Sequence, residues 1–521
     1  MHDRIEAASV RKRQFLAPQF VRAMLAGHSA LGLAFAALIY IVCLTGTVSV
    51  FMFDLQRWEQ PDVAPVEQPV GADVVGAAVG NGQAQALQDN AAHDLFIMGP
   101  NARAGRARFL VSYHDHETGV EGHWLADADG KLVARAHAPW TEFVTELHMS
   151  LHLPRTWGLF LVGLTGVALL SSLISGLLSH PRLFKDAFHL RWGGSRRLQD
   201  ADLHNRLGVW GLPFHFVVTL TGALLGLSSL IVGVLALAAY EGDSEKAFAA
   251  ILGPHASSDE TAAPIPDVAA MIRQVQAAKP DAEFTSINIG HIGKAGQVVH
   301  LSMRTPGHVA LGNTYYFKGD LTPLGDGGLE TGGVGQQILG VLQPLHFGWF
   351  GGTPIKLAYA VLGLALSVVT YTGVTIWLSR RRDKGRPARR WEKIWVGVGW
   401  GQPAALAASA VASFYVAEAS VLYVYLVAAS MALLVALLLP DAVTGVRVLR
   451  LACAASLVAL PIAHGSIWIS RIADPMAWFV NASLAIVAVV LVISVLPRRG
   501  YARAESGSLG DDEAGVREGR A

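Results

Sequence analysis

Eight predominantly apolar stretches of twenty or more residues in this chain carry no Asp, Glu, Lys or Arg: 23–53, 156–181, 207–240, 357–379, 394–417, 419–440, 451–470 and 475–497. A helix of about 20 apolar residues crosses the hydrocarbon core of a bilayer. A chain with eight such stretches is expected to fold as a polytopic α-helical membrane protein. The fifth and sixth are parted only by Glu418; one helix of that combined length would overshoot a bilayer, so they read as two spans joined by a tight turn. The third is longer than one crossing needs, so its ends are expected to project past the core or the helix to tilt. The composition agrees. Only 16% of the 521 residues are charged, against about 25% in soluble domains. A net charge of +1 supplies no general basic footprint for nucleic acid. The two cysteines, Cys43 and Cys453, lie in apolar runs, which excludes a disulfide framework and a Cys-x-x-Cys metal site.

Basic residues of short loops mark the cytoplasmic side of a membrane protein. Such clusters precede the first span (Arg4 to Arg22), fill 182–206, follow the fourth span in 380–393, precede the seventh (Arg447, Arg450) and follow the eighth (Arg498, Arg499). Counting spans alternately puts all of them on one side, so residues 1–22 and 498–521 are both expected in the cytoplasm. The last of these segments, rich in Gly, Asp and Glu, reads as a disordered tail. The first span is too long for a signal-peptide core and reads as an uncleaved anchor. Two long polar segments, 54–155 and 241–356, then lie outside. Each has a helical stretch (72–87; 265–278) followed by alternating strand-like segments (107–113, 122–126 and 131–136; 283–289, 297–303 and 313–317). Each reads as a small α+β domain.

The first four spans form two matching halves of helix, outer domain and helix. Each half opens with a histidine near the inner end of an outgoing helix, His28 and His204. Each such helix then carries Leu-Thr-Gly, at 44–46 and 220–222, and each half closes with Leu-His just outside the returning helix, at His148 and His346. The returning helices carry Thr165-Gly166, Ser175-Gly176 and Thr372-Gly373. Halves of the same in–out sense imply a pseudo-two-fold axis along the membrane normal. That axis would bring His28 to His204 near the inner face and His148 to His346 near the outer face. Paired imidazoles are natural axial ligands of haem iron and leave no open coordination position, so two haem groups one above the other are expected. Each helix-end histidine taken alone reads as a headgroup-level polar residue; the matched positions favour ligation.

Other histidines are read with alternatives. His215, eleven residues beyond His204, is either a mid-membrane ligand or relay, or a partner for the carbonyl that Pro213 would free. His152 is expected to share a helix face with His148, in a propionate-side or substrate-side role or in plain packing. His464 has no repeat partner and reads as structural. The run His114-Asp115-His116-Glu117 with His123 fits a solvated hairpin turn as well as a metal site. Gly397-Val398-Gly399-Trp400-Gly401 follows no strand and is not a dinucleotide loop.

These residues carry a resemblance. Leu147-His148…Leu151, Leu203-His204-Asn205-Arg206-Leu207-Gly208 and Leu345-His346-Phe347-Gly348…Gly351-Gly352, followed by Thr372-Gly373…Trp377…Arg380, resemble the PepSY-associated transmembrane family, the iron-regulated membrane proteins. The resemblance covers about residues 20–390. At His28 the family's His-Arg pair is His-Ser. It implies two PepSY-like periplasmic modules on a duplicated core, with four further helices over 394–497. It also implies an inner-membrane protein with two haem b groups that reduces a ferric siderophore or other ferric chelate in the periplasm during iron uptake. The electron donor, cytosolic or in the membrane, is unnamed by the sequence. Trp157, Trp349 and Phe350 stand where an electron-exit rim or an interfacial aromatic belt would be. Two other readings stay open, a non-catalytic regulator of a periplasmic protease and a transporter.

Overall fold

The computed structural model describes residues 17–91, 93–179, 196–257 and 259–496. The disordered-tail reading, the basic residues before position 17 and those of 182–191 lie outside the described residues. Within them the first half runs α1 (Pro18–Ala34), α2 (Ala36–Ser49), α3 (Met52–Glu59), α4 (Ala72–Gln88), β1 (Asp94–Met98), β2 (Phe109–His114), β3 (Glu121–Ala126), β4 (Leu132–Arg135), α5 (Pro139–Met149) and α6 (Arg155–Ser179). The second runs α7 (Arg196–Trp210), α8 (Leu212–Gly226), α9 (Ser228–Ala239), α10 (Ser244–Leu252), α11 (Val268–Ala278), β5 (Glu283–Gly290), β6 (Val298–Arg304), β7 (Asn313–Lys318), β8 (Pro323–Asp326), α12 (Val334–Phe347) and α13 (Gly352–Asp383). The chain closes with α14 (Arg389–Ser413), α15 (Val421–Leu438), α16 (Ala442–Trp468) and α17 (Met476–Val495).

Among the described residues five helices are long and apolar enough to cross a membrane: α6, α13, α15 with its lead-in turn, α16 and α17. They become seven if α1 with α2 and α7 with α8 each count as one bent span. The chain is therefore a multi-pass membrane protein. Two expectations change in detail. The stretch 23–53 is a pair of helices bent by 69°. The over-long 207–240 is divided at Gly211 and Leu227 into α7, α8 and α9, with a 70° bend at the first break. Pro213 stands in the first turn of α8; it has no N–H to give to α7, so the helix restarts there. The fifth stretch forms the 25-residue α14, less apolar than the five because Trp, Gln, Gly and Ser replace aliphatics. Its glycines pack inside the bundle, Gly397 against Leu433 and Gly401 against Ala432. The tight turn at Glu418 is a short 3-10 turn.

The outer segments differ more from the sequence reading. Their strands build one antiparallel eight-stranded sheet in the order β4-β3-β2-β1-β5-β6-β7-β8. Alternating side chains in each strand face one core: Leu95 and Ile97 on β1, Phe109 and Val111 on β2, Ile287 and Ile289 on β5, Leu301 and Met303 on β6. The helices α4 and α11 cover that face with Val75, Val79, Met271 and Ile272. The two segments meet at β1 and β5, in register from Asp94 opposite Gly290 to Met98 opposite Ser286.

The four closing helices are tied to the rest at several points, two of which bear on α3 and α5. Buried Asp474 accepts Arg57 Nε and Nη2 at 2.7 and 2.8 Å and Arg108 Nη2 at 3.0 Å, which binds the α16–α17 connection to α3 and to the residue that leads into β2. An apolar cluster then joins Phe143, Val144 and Leu147 of α5 to Leu406 of α14 and Tyr425 of α15.

Two paired-histidine sites

Each of the four repeat histidines leans on a glycine of a neighbouring helix in its own half. A Cβ added to Gly46 would stand 2.6 Å from His148, one on Gly222 2.7 Å from His346, one on Gly176 3.0 Å from His28 and one on Gly373 3.2 Å from His204. The small residues thus make flat seats for imidazole rings. The hydroxyl residue before each glycine turns back on its own helix. Thr45 donates to the Ile41 carbonyl at 2.7 Å, Thr221 to Val217 at 2.7 Å, Ser175 to Ser171 at 2.7 Å and Thr372 to Val368 at 2.7 Å.

The carbonyl four residues before each glycine receives the histidine. His28 Nδ1 lies 2.8 Å from the Ser172 carbonyl, His204 Nδ1 2.9 Å from Val369, His148 Nδ1 2.9 Å from Val42 and His346 Nδ1 3.0 Å from Val218. A carbonyl can only accept, so Nδ1 carries the hydrogen and Nε2 keeps its lone pair. This is the arrangement by which proteins fix a metal-ligating imidazole.

The rings then meet across the two halves. His28 and His204 have centroids 6.2 Å apart with planes at 79°. His148 and His346 have centroids 6.1 Å apart with planes at 19°. Two metal–nitrogen bonds of about 2 Å each, plus the two ring radii, separate opposed imidazole centroids by roughly 6 Å. Around the outer pair lies a cavity of about 250 Å³, walled by Val42, Leu159, Leu169, Leu225 and Leu366 and by Gly46, Gly166, Gly222, Gly226 and Gly363. Such a space suits a flat apolar group with ligands on both faces.

Helix α5, which presents His148, is held from outside itself. Glu59, only 4% exposed, accepts the backbone N–H groups of Trp140 and Thr141 at 2.9 and 2.8 Å and the Thr141 hydroxyl, so a carboxyl of α3 caps the first turn of α5. Burial raises this carboxyl to about 7 despite those donors. From His346 a run of rings leads outward. Phe347 lies 5.3 Å from His346 and stacks on Trp349 at 4.4 Å; Phe53 follows at 5.3 Å, with the Arg106 guanidinium 5.3 Å above it. Phe53 and Arg106 line an outer pocket of about 260 Å³ with Arg57, Arg108, His123 and His137. Trp157 is 70% exposed and stands apart from this run, while Phe350 packs near Tyr359.

The remaining candidates part company with the pairs. Helix α5 ends at Met149, and Leu151 and His152 take left-handed backbone at φ 55° and 53°, so His152 does not share a helix face with His148. Its Nε2 lies 2.8 Å from the Phe143 carbonyl and its ring stacks on Phe143. His215 is fully buried against Gly211 and beside Phe214, facing the Leu362 backbone, with no second histidine opposite it among the described ring contacts. His464 is structural: its Nε2 meets the Trp58 carbonyl at 2.8 Å, and its ring stacks on Trp58 at 5.1 Å. Glu59 and the Phe53–Trp349 contact were not legible in the sequence, because each joins segments far apart in the chain.

Fold and site together define a multi-pass membrane protein with a duplicated core carrying two opposed-imidazole sites. Residues 25–380 match the family described as the PepSY-associated TM region, and the chain belongs to that family. It is also similar to an uncharacterized protein of Pseudomonas aeruginosa, PA4219, with 29% identity over 254 residues. The match takes in 47% of this chain and spans 64% of that relative's length.

Proposed function

We propose that the protein is an inner-membrane di-haem b electron carrier, an oxidoreductase that delivers electrons from the cytoplasmic side to a ferric chelate such as a ferric siderophore in the periplasm. The observation that supports this reading is the repeated pairing itself. Two imidazole pairs, each with Nδ1 pinned to a backbone carbonyl and Nε2 available, stand 6.2 and 6.1 Å apart. His28 with His204 would hold one group and His148 with His346 the other. Haem held by two imidazoles supplies reversible one-electron chemistry without an open position for substrate.

The residues of the chain do the rest. The carbonyl bonds orient the rings and raise the basicity of Nε2. The aliphatic walls around the outer pair keep water off it, and the glycine seats admit a flat group between helices. Phe347, Trp349 and Phe53 connect His346 to the outer pocket, which we assign to the ferric chelate. Ferric iron is held tightly by hard oxygen donors, and gaining one electron loosens that hold.

Detergent-purified protein should show a b-type spectrum after dithionite, with two haems per chain. Adding a ferric chelate should reoxidise it and yield ferrous iron. Trp349→Ala should slow that reoxidation about tenfold or more at unchanged haem content. A colourless protein, or a reduced one indifferent to ferric chelates, would contradict the proposal.

A further inference from the structure

A second cluster of histidines lies well away from the paired sites in the fold, at the seam where the two outer segments join. Asp94 opens β1 and pairs on one side with His114 of β2 and on the other with Gly290 of β5. Its two carboxylate oxygens are each taken by an imidazole. Oδ1 lies 3.2 Å from His93 Nδ1, and Oδ2 lies 3.0 Å from His116 Nε2. One ligand atom from each of His93, Asp94 and His116 falls within a 4.8 Å span. Two further rings close in: His291 is 4.2 Å from His93, and His114 is 4.5 Å from His116.

His291 comes from the other half of the sheet, just past β5, and holds left-handed backbone at φ 54°. Its N–H points to Asp94 Oδ1 at 3.3 Å, and its Nδ1 is held by Glu260 at 2.9 Å. Four imidazoles and two carboxylates, drawn from the start of β1, the end of β2 and the turn after it, the β5–β6 turn and the loop between α10 and α11, therefore converge on one spot.

We infer that His93, Asp94 and His116 form a binding site for a divalent first-row transition cation, with His291 as the fourth donor across the seam. The ligand atoms of His93, Asp94 and His116 lie within 4.8 Å of one another, so modest side-chain shifts bring them to the roughly 3–3.5 Å that separates donors around a tetrahedral ion with bonds of about 2.0–2.2 Å. Two imidazoles and one carboxylate suit Zn²⁺, Fe²⁺ or Co²⁺, whereas Ca²⁺ and Mg²⁺ call for oxygen donors throughout. His116 is exposed on its turn, so an ion can reach the site from solvent. The bound ion would clip the β1–β2 side of the sheet to the β5–β6 side. This inference is independent of haem.

Full-length protein in detergent, with its native cofactor content, is titrated with Co²⁺ and with Zn²⁺. Wild type should bind one equivalent whose Co²⁺ form shows visible d–d bands. His116→Ala, on an exposed turn, and Asp94→Asn should each weaken that equivalent at least about tenfold, and His291→Ala should weaken it less. His123→Ala, a histidine of the same hairpin held by Ser112 at 2.9 Å, should leave it unchanged. Identical titrations of wild type and the His93→Ala/His116→Ala double variant would overturn the assignment.

Discussion

The inner and outer histidine pairs share one construction and differ in how tightly it is built. In both, Nδ1 meets the carbonyl four residues before a glycine, and the rings stand about the same distance apart. The outer seats are closer, at 2.6 and 2.7 Å for an added Cβ against 3.0 and 3.2 Å for the inner ones. The ring planes also differ, near-parallel outside and near-perpendicular inside. The outer pair is itself asymmetric. Helix α5 is capped by Glu59 and packed on α14 and α15, whereas its repeat partner α12 leaves Val334 76% and Ile338 53% exposed. A duplicated core can thus keep its ligand geometry while one copy gains a support that the other lacks. The four closing helices supply that support, which gives them a place in positioning His148.

The sharpest way to break this comparison is to remove ligands one at a time. His346→Ala or His148→Ala should lower bound haem from two per chain to one and abolish ferric-chelate reduction; His204→Ala or His28→Ala should likewise leave one, now the outer group. Pyridine haemochrome assay of each purified variant reads the count. A less direct cut leaves every ligand in place. Gly46→Ala and Gly222→Ala force an imidazole off its seat and should cost most of the outer haem. Gly176→Ala and Gly373→Ala need shifts of only a few tenths of an ångström and should retain the inner one. Gly80→Ala, with open space around it, should change neither.

The support of α5 can be tested separately. Asp474→Asn leaves Arg57 and Arg108 without their buried carboxylate and should cost about 3–5 kcal/mol, read as a drop in thermal unfolding temperature. Partial haem loss should follow at the outer site before the inner. The smallest effect belongs to Glu59. Its carboxyl titrates at about 7 when folded and near 4.3 when unfolded, so the folded state binds the extra proton between those values. Stability should be fully present below about pH 4.3 and fall as pH rises to about 7, then level off. Glu59→Gln should flatten that slope in pH-dependent melting curves.

Much of the paired-histidine arrangement was legible because the repeat is written in local terms. His28 and His204 each stand eighteen residues before the glycine of a Leu-Thr-Gly step, and a duplicated topology fixes which copies meet. The strands read from alternation also fall within a residue or two of their places. What escaped was long-range. β1 is a five-residue strand whose partner across the seam lies almost two hundred residues away, so two domains were read where one sheet forms. His152 misled because helical spacing assumes that the helix continues, and here left-handed residues end it. The helix breaks in 23–53 and 207–240 were hidden by uniform apolarity; only Pro213 announced one of them.

Electron paramagnetic resonance of the oxidised, purified protein tests the central claim most directly, because low-spin ferric haem reports the mutual orientation of its two axial imidazoles. The account predicts two low-spin signals: a rhombic one from the near-parallel outer rings, lost in His346→Ala, and a strongly anisotropic large-g signal from the near-perpendicular inner rings, lost in His204→Ala. A high-spin signal alone, or no haem signal, would contradict it.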